Sequence, residues 1–233
     1  MREEETHSRG NNKVLFILMI LLPGLVFLYF MFLTVLGPPK QPKLRYYVAT
    51  AVDGTDTTFH QLPDFQFINE QGQSVDQSVM DDKIVVSDYF FTTCPTICPV
   101  MTQNLTMVQE YFDENEDVLI LSHTVDPETD TPEKLLDYAE AYEVNPKQWM
   151  FLTGSKKDLY EHARRGYFIT ALQGDGGPED FIHSEKIVLV DKNKHIRGYY
   201  DGTKEEEVKR MIEHIEILKL EFRTHKKYRD KTI

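Results

Sequence analysis

The stretch KIVVSDYFFTTCPTICPV, residues 83–100, decides how the chain is read. Its first part, Lys83 to Phe91, is a β-branched and aromatic run of the kind that fills a central strand buried on both faces. Cys94 and Cys98 follow, each with a proline after it. From Val100 to Phe112 the residues Met101, Leu105, Val108 and Phe112 then fall on one helical stripe. A strand therefore hands over to a helix across a loop that carries two thiols. Pro99 suits the first helical position, where a missing N–H costs nothing, which puts Cys98 at the cap and Cys94 just before it. Both sulfurs then face the positive end of the helix dipole, which favours thiolate over thiol.

Outward from this motif, strands and helices alternate. Before it, Asp64-Phe65-Gln66-Phe67-Ile68 alternates at period two and leads into Gln71-Gly72, a hairpin opening. After it, Val118-Leu119-Ile120-Leu121 and Trp149-Met150-Phe151-Leu152 are short buried strands. Asp130-Thr131-Pro132-Glu133 is a helix start with a side-chain cap and an early proline, and Ser155 with Asp158 resembles a capping box. Ile187-Val188-Leu189-Val190 and the run from His195 to Tyr200 are two antiparallel strands. A last helix from about Glu205 to Phe222 buries Val208, Met211, Ile212, Ile215 and Leu218. This order describes an α/β domain of thioredoxin type.

Composition bounds the function. The chain has 233 residues, 26 Lys+Arg against 38 Asp+Glu and a formal net charge of −12, with 41% apolar residues. That balance supports a folded core and lacks the basic footprint of a nucleic-acid binder. Two cysteines are too few for a disulfide-stapled mini-domain or a four-thiolate zinc module. Residues 14–36, VLFILMILLPGLVFLYFMFLTVL, carry no charge and are long enough to cross roughly 30 Å of hydrocarbon. No small-residue cleavage site follows, so the run reads as an uncleaved anchor and not a signal peptide. The expected organisation is a short flank at 1–13, a transmembrane anchor at 14–36 and a proline-rich linker at 37–59. A globular domain at 60–222 and a basic, frayed tail at 223–233 complete it. Close to the span, Arg2, Arg9 and Lys13 precede it and Lys40, Lys43 and Arg45 follow it, so the flanking charges tie and orientation falls to the default, N-terminus inside. Glu3-Glu4-Glu5 is unlike an organelle presequence, which places the anchor in a bacterial inner membrane with the domain on the periplasmic side.

Two thiols with three residues between them leave two chemistries open. A Cys-x-x-Cys spacing would match a disulfide oxidoreductase, whereas the wider loop leaves room to wrap an ion. Soft thiolates joined by one imidazole select Cu(I) and also hold Cu(II) or zinc. A zinc hydrolase would need an open coordination position and a general base, and no residue nominates itself.

Cys-Pro-Thr-Ile-Cys-Pro at 94–99, Val-Asp-Pro-Glu-Thr-Asp-Thr-Pro at 125–132, and His183 before a late strand resemble the Sco/SenC family, as does Leu62-Pro63-Asp64-Phe65. The resemblance implies a thioredoxin-like fold and one copper ion per chain, held by Cys94, Cys98 and His183. It also implies a partner, the copper-A-bearing subunit of cytochrome c oxidase, served by copper delivery or by reduction of its cysteines through Cys94 and Cys98. One departure stands out. Family members often carry an Asp immediately before this His, where this chain has Ile182, with Asp180 and Glu185 the nearest acids. The hydrogen bond that would orient the imidazole is therefore in question.

Other residues have plainer readings. His123, at the end of a strand, is a possible extra ligand, more simply a satisfied structural histidine. His60, His162, His195 and His214 belong on solvated faces. Asp126 and Asp130 read as turn and cap residues. Gly174-Asp175-Gly176-Gly177-Pro178 lacks the Lys-Ser/Thr of a phosphate loop and reads as a mobile loop that brings His183 towards the cysteines.

Overall fold

The computed structural model describes residues 8–35, 43–53, 56–113, 115–169 and 184–229. Helix α1, Ser8–Val35, runs unbroken through Pro23, and its stretch Leu15–Phe32 is long and apolar enough to cross a membrane. The remainder, from Lys43 onward, is a separate compact unit.

That unit is built on a seven-stranded sheet in the order β4-β3-β7-β6-β5-β8-β9. The strands are β3 (Gln66–Asn69), β4 (Ser74–Asp76), β5 (Ile84–Phe90), β6 (Val118–Thr124), β7 (Trp149–Thr153), β8 (Lys186–Val190) and β9 (Ile196–Asp201). β5, β6 and β7 are parallel, and helices α2 (Ile97–Tyr111) and α3 (Pro132–Ala141) make the crossovers between them. β3 and β8 flank this parallel centre antiparallel to it. Every residue of β5 and β6 is buried, as a continuous apolar run demands of central strands. The β3–β4 turn has Gly72 at φ 74°, the left-handed conformation that glycine adopts without strain.

Alternate residues of the strands feed two cores. On one face Val86, Phe90, Ile120 and Phe151 pack with α2, α3 and α5 (Glu205–Arg229), through Met101, Leu105, Leu135, Met211 and Ile215. On the other, Val85, Tyr89 and Leu121 pack with Phe65, Phe67 and the short helix α4 (Lys156–Glu161), which continues into a π-type turn at His162–Gly166.

The boundaries differ from expectation at both ends. Within the expected linker 37–59, β1 (Ala49–Asp53) and β2 (Asp56–Phe59) pair antiparallel, and the unit begins at Lys43 instead of His60. The cause is polar and tertiary, with no apolar periodicity to announce it. Buried Arg197 donates to the carbonyls of Leu44 (2.8 Å) and Arg45 (3.2 Å) and is itself held by Asp191 (2.8 Å) and Glu221 (2.9 Å). Glu221 also accepts from the Leu44 N–H at 3.0 Å. At the other end α5 continues through the expected tail to Arg229.

Candidate dithiol metal centre

Helix α2 starts earlier than the prolines suggest. Its cap is Thr96, so Ile97 is the first helical residue, Cys98 the second and Pro99 the third. Pro99 still lies in the first turn, where N–H groups have no partner within the helix, so the proline removes nothing. The Thr96 side chain makes no capping bond. The sulfur of Cys94 takes that role: Cys98 N–H donates to Cys94 Sγ at 3.5 Å, while Cys94 N–H donates to the Phe91 carbonyl at 3.2 Å. Thr96 Oγ1 lies 3.9 Å from the same sulfur.

Both thiols are reduced and buried, yet their acidities diverge. Burial pulls the Cys94 thiol up, but the N–H groups of Cys98 and Thr96 and their side chains outweigh it and bring it down to about 7. Burial pushes Cys98 up to about 12; the Phe91 backbone opposes this, and the negative charges of Cys94 and Asp88 add to it. Cys94 is thus the ready thiolate, and Cys98 keeps its proton until a metal or a disulfide draws it off.

Two acids frame the pair. Asp130 is fully buried and is no cap, because Thr131 caps α3. Its carboxylate accepts from Thr92 Oγ1 and Thr124 Oγ1, both at 2.5 Å, and from Thr92 N–H at 3.2 Å. It therefore ties the loop that leads to Cys94 to the end of β6. Asp126 is a turn residue as read, its carbonyl accepting from Asp130 N–H at 2.8 Å. Asp88, missed in the sequence, lies on the cysteine face of β5. It accepts from Ser122 Oγ at 2.5 Å, and Ser122 Oγ accepts from Trp149 Nε1 at 2.9 Å. Burial raises Asp88 to about 7, against the pull of the Ser122 bond. The one charged residue inside a buried strand was the available signal.

The histidines separate sharply. His183 and the glycine-rich loop at 174–178 lie outside the described residues. Among the described residues no group of three His, Cys, Asp or Glu side chains gathers as a metal site. Chain direction is informative nonetheless. β8 runs antiparallel to β5 with Ser87 opposite Val188, so its first residues enter at the end of the sheet where β5 gives way to the cysteine loop. His123 is on the opposite face, stacked on Tyr89 at 4.8 Å, and joins no cysteine. His162 is buried at 4% exposure, contrary to the solvated face expected, because it falls with Leu159, Ala163 and Gly166 on the inward stripe of its helix, among Phe65, Phe67 and Tyr167. His60, His195 and His214 are half-buried instead of exposed, each packed against an aromatic ring.

A helix-capped thiolate beside a protonated partner, at the end of the central parallel strand, defines a thioredoxin-like dithiol protein. Comparison with known proteins narrows the class. The SCO1/SenC family model matches residues 53–219, and the chain belongs to that family. It is 33% identical over 149 residues to the SCO1 protein homolog of Bacillus subtilis, covering 63% of this chain and 77% of that protein. The structure of BsSco, a member of the Sco family of cytochrome c oxidase assembly proteins with an identified disulfide switch, superimposes with a TM-score of 0.61 at 28% identity. The match covers 76% of this chain and 96% of that one. Arabidopsis thaliana ScoI with copper bound shares the fold, with a TM-score of 0.55 at 24% identity over 69% of this chain and 99% of that one.

Proposed function

We propose that the chain is a membrane-anchored copper chaperone that carries one copper ion on Cys94, Cys98 and His183 and delivers it to the copper-A centre of cytochrome c oxidase. The observation that carries this reading is the Cys94 sulfur at the mouth of α2, a thiolate accessible near neutral pH with a second sulfur beside it. Two thiolates and an imidazole form a soft, three-coordinate set suited to Cu(I). Binding releases the proton of Cys98, so loading is linked to pH. The direction of β8 supports His183 as the third ligand, since the described residues at the start of that strand lie at the cysteine end of the sheet and His183 precedes them closely in sequence. Copper in the Arabidopsis relative and the family's part in oxidase assembly support the cargo and the client. Helix α1 supplies the anchor, with the domain on the periplasmic side of a bacterial inner membrane.

The difference between the two thiols favours a second reading, a thiol-disulfide reductase. Cys94 thiolate attacks a client disulfide, forming a mixed disulfide and releasing one client thiolate. Cys98 then gives up its proton and attacks Cys94 Sγ, leaving a Cys94–Cys98 disulfide and a client reduced by two electrons. The two readings part at His183. In His183→Ala, Cu(I) affinity falls by more than about 10-fold if the imidazole is a ligand, while exchange with a model disulfide is unchanged. Full copper affinity in that variant refutes the ligand set.

A further inference from the structure

On the face of the sheet away from the cysteines, four side chains form one ring. His123 lies 5.8 Å from His162 and 5.6 Å from Tyr167 between ring centroids, His162 lies 5.1 Å from Tyr167, and Tyr89 lies 5.9 Å from Tyr167. All four residues are at least nine-tenths buried. Each also carries a polar atom with no hydrogen-bond partner among the described residues: Tyr89 Oη, His123 Nε2, His162 Nε2 and Tyr167 Oη. Ser87 attracts the Tyr167 phenol but stays short of a hydrogen bond.

The tautomer of His123 follows from its neighbours. Ser87 Oγ donates its one proton to the Leu121 carbonyl at 3.0 Å, so it can only accept from His123 Nδ1, 3.2 Å away. The Asp88 carbonyl, 3.4 Å from Nδ1, is also an acceptor. Nδ1 therefore carries the hydrogen and Nε2 presents a buried lone pair. Two phenol O–H groups and this lone pair are thus buried within one set of neighbouring rings, with no hydrogen bond between them. Buried polar atoms in folded proteins are almost always satisfied, by protein or by ordered water.

We propose that the ring encloses an internal hydration site, in which water accepts from the tyrosine hydroxyls, donates to His123 Nε2 and bonds His162 Nε2 in whichever sense its tautomer sets. One or two waters, each with two to four partners, would satisfy all four atoms. A metal ion is the poorer occupant. No carboxylate joins the ring, Asp88 being on the other face, so a cation's charge would stand uncompensated in an aromatic shell and the phenol protons would stay unsatisfied. Access lies through His162, which also lines a surface cleft of about 380 Å³ together with Pro63, Phe67, Glu161 and Arg165. The role of His123 is then to hold water behind the sheet, away from the cargo.

A high-resolution crystal structure of the full chain tests this directly. Ordered water within hydrogen-bond distance of at least two of the four atoms is expected. Direct bonds among the four with no water, or a metal ion among them, overturns the proposal. Oxygen-17 relaxation dispersion on the full chain in detergent micelles is the second measurement. Tyr89→Phe/Tyr167→Phe should lose slowly exchanging water relative to the unmodified protein, and an unchanged amplitude overturns the proposal. Circular dichroism establishes that the double variant is folded.

Discussion

Asp88 and Tyr89 are neighbours on β5, and each faces its own counterpart on β6, Ser122 and His123 respectively. One step along the strand sends the first pair under the cysteines and the second into an aromatic shell. Both pairs are buried, polar and in register, yet they do different work. On the cysteine face the polar groups form a chain from Trp149 through Ser122 to Asp88, whose charge is felt by Cys98. On the far face the imidazoles are held neutral, His123 down at about 3 and His162 at about 4, mainly because burial opposes their charge. The comparison teaches that strand parity, not residue type, decides which buried titratable groups can act on the sulfurs.

The largest expected effect breaks that comparison outright. Cys98→Ser removes a proposed ligand and should lower Cu(I) affinity more than about 100-fold in competition titrations, whereas His123→Ala should leave it within about threefold. His123→Ala should instead destabilise the fold by about 2 to 4 kcal/mol in denaturant unfolding, through the cavity it opens. Equal losses of copper affinity in both variants would mean that the two faces are not separate.

Next in size is the buried acid. Asp88 binds its proton more tightly folded than unfolded, so the native state holds the extra proton between about pH 4 and pH 7 and stability falls as pH rises through that window. Asp88→Asn keeps the Ser122 acceptor and abolishes the titration. It should be more stable than the parent at pH 8, by no more than about 4 kcal/mol, and equal to it near pH 4. A parent whose stability is flat from pH 4 to pH 7 contradicts the raised acidity constant.

A smaller effect sharpens the contrast between the thiols themselves. The rate of Cys94 alkylation should rise with pH with a midpoint of about 7, and Cys98 in Cys94→Ser should react only at strongly alkaline pH. Coincident profiles near pH 8.5 would remove the capping of the Cys94 sulfur as a cause.

Much of this was legible from the residues. The β-branched run before Cys94 and the stripe from Met101 to Phe112 are local patterns, and they become β5 and α2. The start of α2 moved because a sulfur caps it, and capping preferences describe oxygens. Asp130 looked like a cap because it precedes Thr131-Pro132, and only the folded chain brings Thr92 and Thr124 to its carboxylate. The clamp of Arg197 on residues 44 and 45 was invisible for a related reason: it rests on hydrogen bonds and an ion pair between residues far apart in sequence. The β1–β2 pair is local, Asp53 opposite Asp56, and Asp53-Gly54 was its available signal. His162 looked exposed because a histidine is read as polar, yet its spacing from Leu159, Ala163 and Gly166 already puts it on the buried stripe.

Anaerobic Cu(I) titration of the full chain in detergent, before and after oxidation of the thiols, tests the central claim most directly. The account predicts one copper per reduced chain and none once Cys94 and Cys98 are joined. Copper retained by the oxidised protein would contradict it.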